Sequence, residues 1–219
     1  RYWQGMLAPG IKVCGITTSE TLGAALRAGA THVGLVFFPK SPRNISIEQA
    51  AALAIEARGT AQIVGLFVDP DAAYLDAVRK AVHLDAIQLH GNETPAFVSR
   101  NKMRHGIEVW KAIRVKASAD LAEARKFVGA ASRMLYDAMP PAGSDLLGGT
   151  GLRIDWSILA GANHPLPWIL AGGLTPHNVA EAIRTSGASF VDVSSGVESA
   201  PGVKDVDKIA AFCKAARIS

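Results

Sequence analysis

The sequence predicts a single (β/α)₈ barrel, and three observations carry that prediction. Short apolar runs alternate with amphipathic segments along the chain, eight such units fit at a spacing of roughly 22 to 34 residues, and the apolar runs are rich in Val, Ile and Leu. Runs of that kind are buried on both faces, which implies a parallel sheet covered by helices, and eight units are the number that closes a barrel. A doubly wound open sheet is the competing architecture, and it ordinarily needs fewer strands.

The strand candidates are 11–14, 32–38, 62–68, 85–89, 107–113, 132–136, 167–171 and 189–193. Helical periodicity falls at 19–28, 47–57, 70–81, 95–104, 119–128, 176–185 and 204–216, with a short helix near 155–160. Thr17 with Glu20, and Ser46 with Gln49, have the spacing of capping boxes. Asp69-Pro70, Thr94-Pro95 and Thr175-Pro176 each set a capping residue before a proline suited to the first helical position. Residues 1–10 read as a disordered or non-native leader, and 11–219 as one domain.

Composition narrows the function classes. The 219 residues carry a formal charge of +4 with the basic side chains scattered, which argues against a nucleic-acid surface and mildly favours an anionic substrate. No apolar run approaches the roughly 18 residues that span a bilayer. Cys14 and Cys213 form no disulfide framework, which fits a reducing cytoplasm.

In a barrel the chemistry sits where strands end. The first strand ends at Cys14-Gly15, with Lys12 on the same inward side by period-two alternation. Cys14 is a candidate base or nucleophile, or a small buried hydrophobe. Lys12 either favours its thiolate or pairs with a carboxylate deeper in the barrel. After the second strand, Arg43 closes a stiff basic loop and suits a carboxylate or phosphate, or plain solvent. Gln88 and His90 share inward parity at the end of the fourth strand, where His90 contacts a ligand or orients a neighbour. Lys111, on the fifth, is weighed as an imine-forming lysine. Asp137 ends the sixth strand as a candidate acid, cap or ion-pair partner.

Three glycine-rich stretches follow strands six to eight: Gly148-Gly149-Thr150-Gly151, Ala171-Gly172-Gly173-Leu174 and Ser194-Ser195-Gly196. Glycine lets backbone N–H groups approach an anion closely, and barrels often bind phosphate after strands seven and eight. The residues therefore point to an enzyme of a phosphorylated small molecule, with phosphate held by Gly149, Gly151, Gly172, Gly173, Ser194, Ser195 and Gly196.

The stretches KVCGIT (12–17), GLVFFPKSPRNIS (34–46), VGLFVD (64–69), QLHGNE (88–93), LYDAMPP (135–141), LAGGLTPHNV (170–179) and VDVSSGVESAPGVKD (191–205) resemble the phosphoribosylanthranilate isomerases. The resemblance runs in order over residues 11 to 217. It implies a cytoplasmic, monomeric or homodimeric enzyme of tryptophan biosynthesis that needs no metal or cofactor. Its reaction would be the Amadori rearrangement of N-(5-phosphoribosyl)anthranilate to 1-(2-carboxyphenylamino)-1-deoxyribulose 5-phosphate. It assigns Cys14 as general base and Asp137 as general acid, Arg43 to the anthranilate carboxylate, and His90 and Asp192 to the substrate's surroundings. Competing readings are another phosphosugar isomerase or an aldolase on the same barrel, or a non-catalytic barrel that binds a phosphorylated ligand.

Overall fold

The computed structural model describes residues 8–138 and 155–219. Eight parallel strands close a barrel in sequence order, β1 (Gly10–Cys14), β2 (His32–Val36), β3 (Gln62–Phe67), β4 (Ala86–Leu89), β5 (Glu108–Val115), β6 (Arg133–Ala138), β7 (Trp168–Ala171) and β8 (Phe190–Val193). The outer layer is α1 (Ser19–Arg27), α2 (Ile47–Ala57), α3 (Ala72–Ala81), α4 (Pro95–His105), a 3₁₀ segment (Ser118–Phe127), α5 (Ser157–Ala160), α6 (Val179–Ser186) and α7 (Val206–Arg217). No described helix is long and apolar enough to cross a membrane.

Alternation along each strand sorts the side chains into two cores. Ile11, Val13, Val33, Leu35, Ile87, Leu89, Tyr136, Leu170 and Val191 point outward and belong to the larger core, which also takes in the buried helix faces. Val64, Ala86, Trp110, Ala112, Leu135, Ile169, Ala171 and Phe190 fill the barrel interior. His32 sits against the Trp110 and Phe190 rings, at centroid distances of 5.6 and 4.7 Å, and the Arg133 guanidinium lies over both rings. This plug closes the amino-terminal end, so polar groups that face inward collect at the other mouth.

Helix starts show where local signals win and where they lose. Ser46 and Gln49 form the reciprocal capping box, and Thr94 caps α4 with Pro95 in its first turn. Thr17 does not cap α1; Thr18 does, accepting from the Thr21 amide at 3.2 Å. Asp69-Pro70 does not open α3, whose cap is Asp71. Asp69 instead adopts a φ of 45° and accepts from the Asn92 amide at 2.7 Å, a tertiary bond that takes it out of the helix. Thr175-Pro176 begins a turn in which the Thr175 amide donates to Asn178 Oδ1 at 2.7 Å, and α6 starts only at Val179.

A segment beyond β8 matters for the site. Residues Glu198–Ala200 (β9) and Val203–Lys204 (β10) pair antiparallel across Pro201-Gly202. Pro201 presets the first turn position, and Gly202, at a φ of 81°, supplies the positive angle of the second.

Candidate active site

The inward residues at the carboxyl ends of the strands converge on the barrel mouth. On β1, Lys12 is 0 % exposed and Cys14 4 %. Gly34 of β2 makes room for both, because a Cβ there would lie 2.6 Å from Cys14 Sγ and 3.1 Å from Lys12 Cε. Lys12 is paired in register with Asp192 of β8, and its ammonium donates to Asp192 Oδ1 at 3.1 Å. Burial opposes the Lys12 charge, but the Asp192 carboxylate beside it favours the ammonium, which is held above its usual range.

Of the two expectations for Lys12, the structure shows the pairing with a carboxylate. Lys12 is engaged by Asp192. Burial pushes the Cys14 thiol up, Asp192 adds to that, and the pull of Lys12 and Lys204 in the other direction is smaller. Burial in the barrel thus favours the neutral thiol of Cys14.

On the far side of the mouth, Asp137 projects from β6 at the parity of Leu135, and its Oδ2 lies 3.6 Å from His90 Nε2. The buried Gln88 side-chain amide lies 3.1 Å from His90 Nδ1, and His90 Nε2 faces Asp137. His90 thus stands beside Asp137 at the mouth. The Gly172 backbone presses on the same strand end, where a Cβ would come 2.2 Å from the Ala138 carbonyl oxygen and 2.6 Å from Asp137 Oδ1. Gly172 therefore makes room for Asp137 as well as belonging to a glycine-rich loop.

Arg43 is not a free loop arginine but is held by a carboxylate. Its Nε donates to Glu198 Oε2 at 2.8 Å and its Nη2 to Glu198 Oε1 at 2.5 Å, and Lys204 Nζ reaches the same Oε2 at 2.8 Å. Lys204 also donates to the Ser194 carbonyl at 3.0 Å, tying β10 to the loop after β8. That loop lies directly on the loop after β7, since a Cβ on Gly196 would sit 1.8 Å from the Leu174 carbonyl oxygen. Gly172, Gly173, Ser194, Ser195 and Gly196 are so brought together at one side of the mouth, with Gly173 and Ser195 exposed. Gly149 and Gly151 lie outside the described residues.

Lys111 is the wrong lysine for an imine. It has the outward parity of β5, opposite to Trp110 and Ala112, and it donates to the Gly91 and Ala112 carbonyls at 2.7 and 2.8 Å. Glu93 Oε1 completes its shell at 3.2 Å. The cavity of about 870 Å³ beside it, lined by His90, Arg114 and Lys126, opens on the β4–β5 side and touches neither Cys14 nor Asp192.

The family model for N-(5'-phosphoribosyl)anthranilate isomerase matches residues 11–215. The chain belongs to that family. The relative from Paramagnetospirillum magneticum bearing this name is 55 % identical over 207 residues, covering 94 % of this chain and 96 % of its own. The crystal structure of phosphoribosyl anthranilate isomerase from Thermotoga maritima aligns with a TM-score of 0.82 and 36 % identity, over 96 % of this chain and all of that one. A phosphoribosyl anthranilate isomerase structure in complex with reduced 1-(o-carboxyphenylamino)-1-deoxyribulose 5-phosphate aligns at 0.80 and 34 %, with the same coverage. Fold and family thus agree with the expectation from sequence.

Two polar residues of the mouth were given no role from sequence, although both stand in the quoted stretch VESAPGVKD. Glu198 and Lys204 flank a Pro-Gly pair, and a type II turn there folds them back as neighbours. Reading that turn would have found them.

Proposed function

We propose that this chain, as a phosphoribosylanthranilate isomerase, catalyses the Amadori rearrangement of N-(5-phosphoribosyl)anthranilate in tryptophan biosynthesis. Asp137 is the general acid and Cys14 the general base. Asp137 protonates the furanose oxygen, and the ring opens to an iminium. Cys14 then removes the C2 proton, giving an enolamine that tautomerises to the ketone. The iminium is the electron sink, so acid and base are the groups the steps call for.

The observation that carries this reading is the placement of Cys14 and Asp137, both inward at the mouth and separated along the barrel by β7 and β8. A substrate lying between them presents different faces to the two. Arg43 holds the anthranilate carboxylate, and the loops bearing Gly172-Gly173 and Ser194-Ser195-Gly196 hold the phosphate, with Gly149 and Gly151 assigned to the same phosphate. His90 orients Asp137, and Asp192 fixes Lys12 beneath Cys14. The free thiols of Cys14 and Cys213 suit a reducing cytoplasm.

Adding N-(5-phosphoribosyl)anthranilate and following its fluorescence tests the reading. Decay well above the spontaneous rate is expected, and its absence overturns the assignment in favour of a non-catalytic phospholigand-binding barrel.

A further inference from the structure

Glu198 is a buried carboxylate, its side chain 3 % exposed, and its oxygens are all used. Oε1 accepts from Arg43 Nη2 at 2.5 Å, while Oε2 accepts from Arg43 Nε and from Lys204 Nζ, both at 2.8 Å. This two-point grip takes one edge of the planar guanidinium. The third nitrogen, Nη1, has no partner among the described residues. The stem of Arg43 is pinned too, for it lies over Gly15, where a Cβ would come within 2.7 Å of Arg43 Cδ. The stem that carries the guanidinium is thereby held beside the residue that follows Cys14.

Two further features make the grip a rigid one. Gly202, in the turn between β9 and β10, packs on the residue before Arg43, where a Cβ would lie 2.6 Å from the Pro42 carbonyl oxygen. The hairpin and the loop after β2 are thus registered at two points. Lys204 supplies a second cation to the same carboxylate, so the trio Arg43, Glu198 and Lys204 carries a net positive charge. Glu198 fixes the guanidinium without cancelling its attraction for an anion.

We propose that Glu198 is a positioning residue for substrate recognition, presenting the Nη1 edge of Arg43 to the carboxylate of the substrate. The proposal rests on the reading of Arg43 as the carboxylate ligand. A flexible arginine would lose its rotamer freedom on gripping a ligand; here Glu198 has already imposed that loss in the empty site.

The test compares N-(5-phosphoribosyl)anthranilate with N-(5-phosphoribosyl)aniline, which lacks the carboxylate, in the wild type, Glu198→Gln, Arg43→Ala and the double variant. Glu198→Gln is expected to lower kcat/KM for the anthranilate compound about tenfold, mainly through KM, and for the aniline compound less than about twofold. Arg43→Ala should show the same selectivity, and the double variant should lose no more than Arg43→Ala alone. Glu198→Asp keeps both cations paired, so it serves where Glu198→Gln does not fold; its expected selective loss lies between wild type and Arg43→Ala. Equal losses on both substrates in the Glu198 variants, with Arg43→Ala still selective, overturn the positioning role alone. Equal losses in Arg43→Ala overturn the carboxylate reading beneath it, and the proposal with it.

Discussion

The Lys12 ammonium lies 3.1 Å from the Asp192 carboxylate, inside the barrel and on adjacent strands. This ion pair forms the floor of the proposed site. Removing one partner of a buried pair leaves the other uncompensated, at about 3–5 kcal/mol. Asp192→Leu should therefore cost about 3 kcal/mol or more in urea unfolding, and pairing it with Lys12→Met should restore most of that. A single-variant loss below about 1 kcal/mol, the level of an exposed pair, would show that the ion pair is not needed there.

The reacting groups make a second prediction. Cys14→Ala and Asp137→Asn should each reduce kcat at least about 10²-fold, as expected for loss of a general base or acid. Near-normal turnover in either variant removes that residue from the mechanism.

The pH dependence follows from burial of Cys14, which pushes its thiol up from an ordinary value of 9.0. The base is active only as thiolate, so kcat/KM, which reports the free enzyme, should still be rising between pH 7 and 9. Alkylation of Cys14 by iodoacetamide should rise over the same range. A plateau reached below pH 7 would mean that a preformed thiolate exists in the empty barrel. Cys213, its thiol pushed up to about 11 by burial, should stay unreactive under the same conditions, and Cys213→Ala should leave turnover unchanged.

At the closed end of the barrel, burial lowers His32 to about 4, with Lys12 and Arg133 repelling its protonated form. The unfolded chain takes up this proton near pH 6.5 and the folded one only near 4. Stability from a neutral His32 is therefore complete above pH 6.5 and is lost as pH falls toward 4. Between pH 7 and 5 the loss is about 1–2 kcal/mol. Urea unfolding at both pH values should show that difference in the wild type and a smaller one in His32→Phe.

Gly34→Ala should cut kcat more than it cuts stability, because the new methyl would crowd Cys14 Sγ most closely, at 2.6 Å, with Cys14 Cα and Lys12 Cε each at 3.1 Å. Thermal unfolding and kcat measured side by side check this; a large loss of stability with kcat intact would reverse the reading of Gly34.

Much of the barrel was legible because its signals are local. Alternation placed Lys12, Cys14, Gln88 and His90 inward without knowledge of their neighbours, and Asp137 was picked out as the residue that ends its strand. The Ser46–Gln49 box and Thr94-Pro95 are equally self-contained. What escaped was settled by distant partners. Asp69 looked like a helix cap and instead accepts from the Asn92 amide; Arg43 suited a carboxylate, a phosphate or solvent, and is held by Glu198, 155 residues away. At Cys14 the sequence left open how strongly burial and a nearby cation would weigh against each other. Proximity of a lysine was readable from spacing, but the solvent lost by both groups was not.

The Lys12–Asp192 pair joins residues 180 positions apart, one near each end of the chain. The surroundings of Cys14 therefore do not exist until the last strand has met the first. In refolding, helix content can recover while the seam between β1 and β8 is still open, and turnover cannot. Recovery of activity is thus a clock for ring closure, set by a contact between residues far apart in the chain.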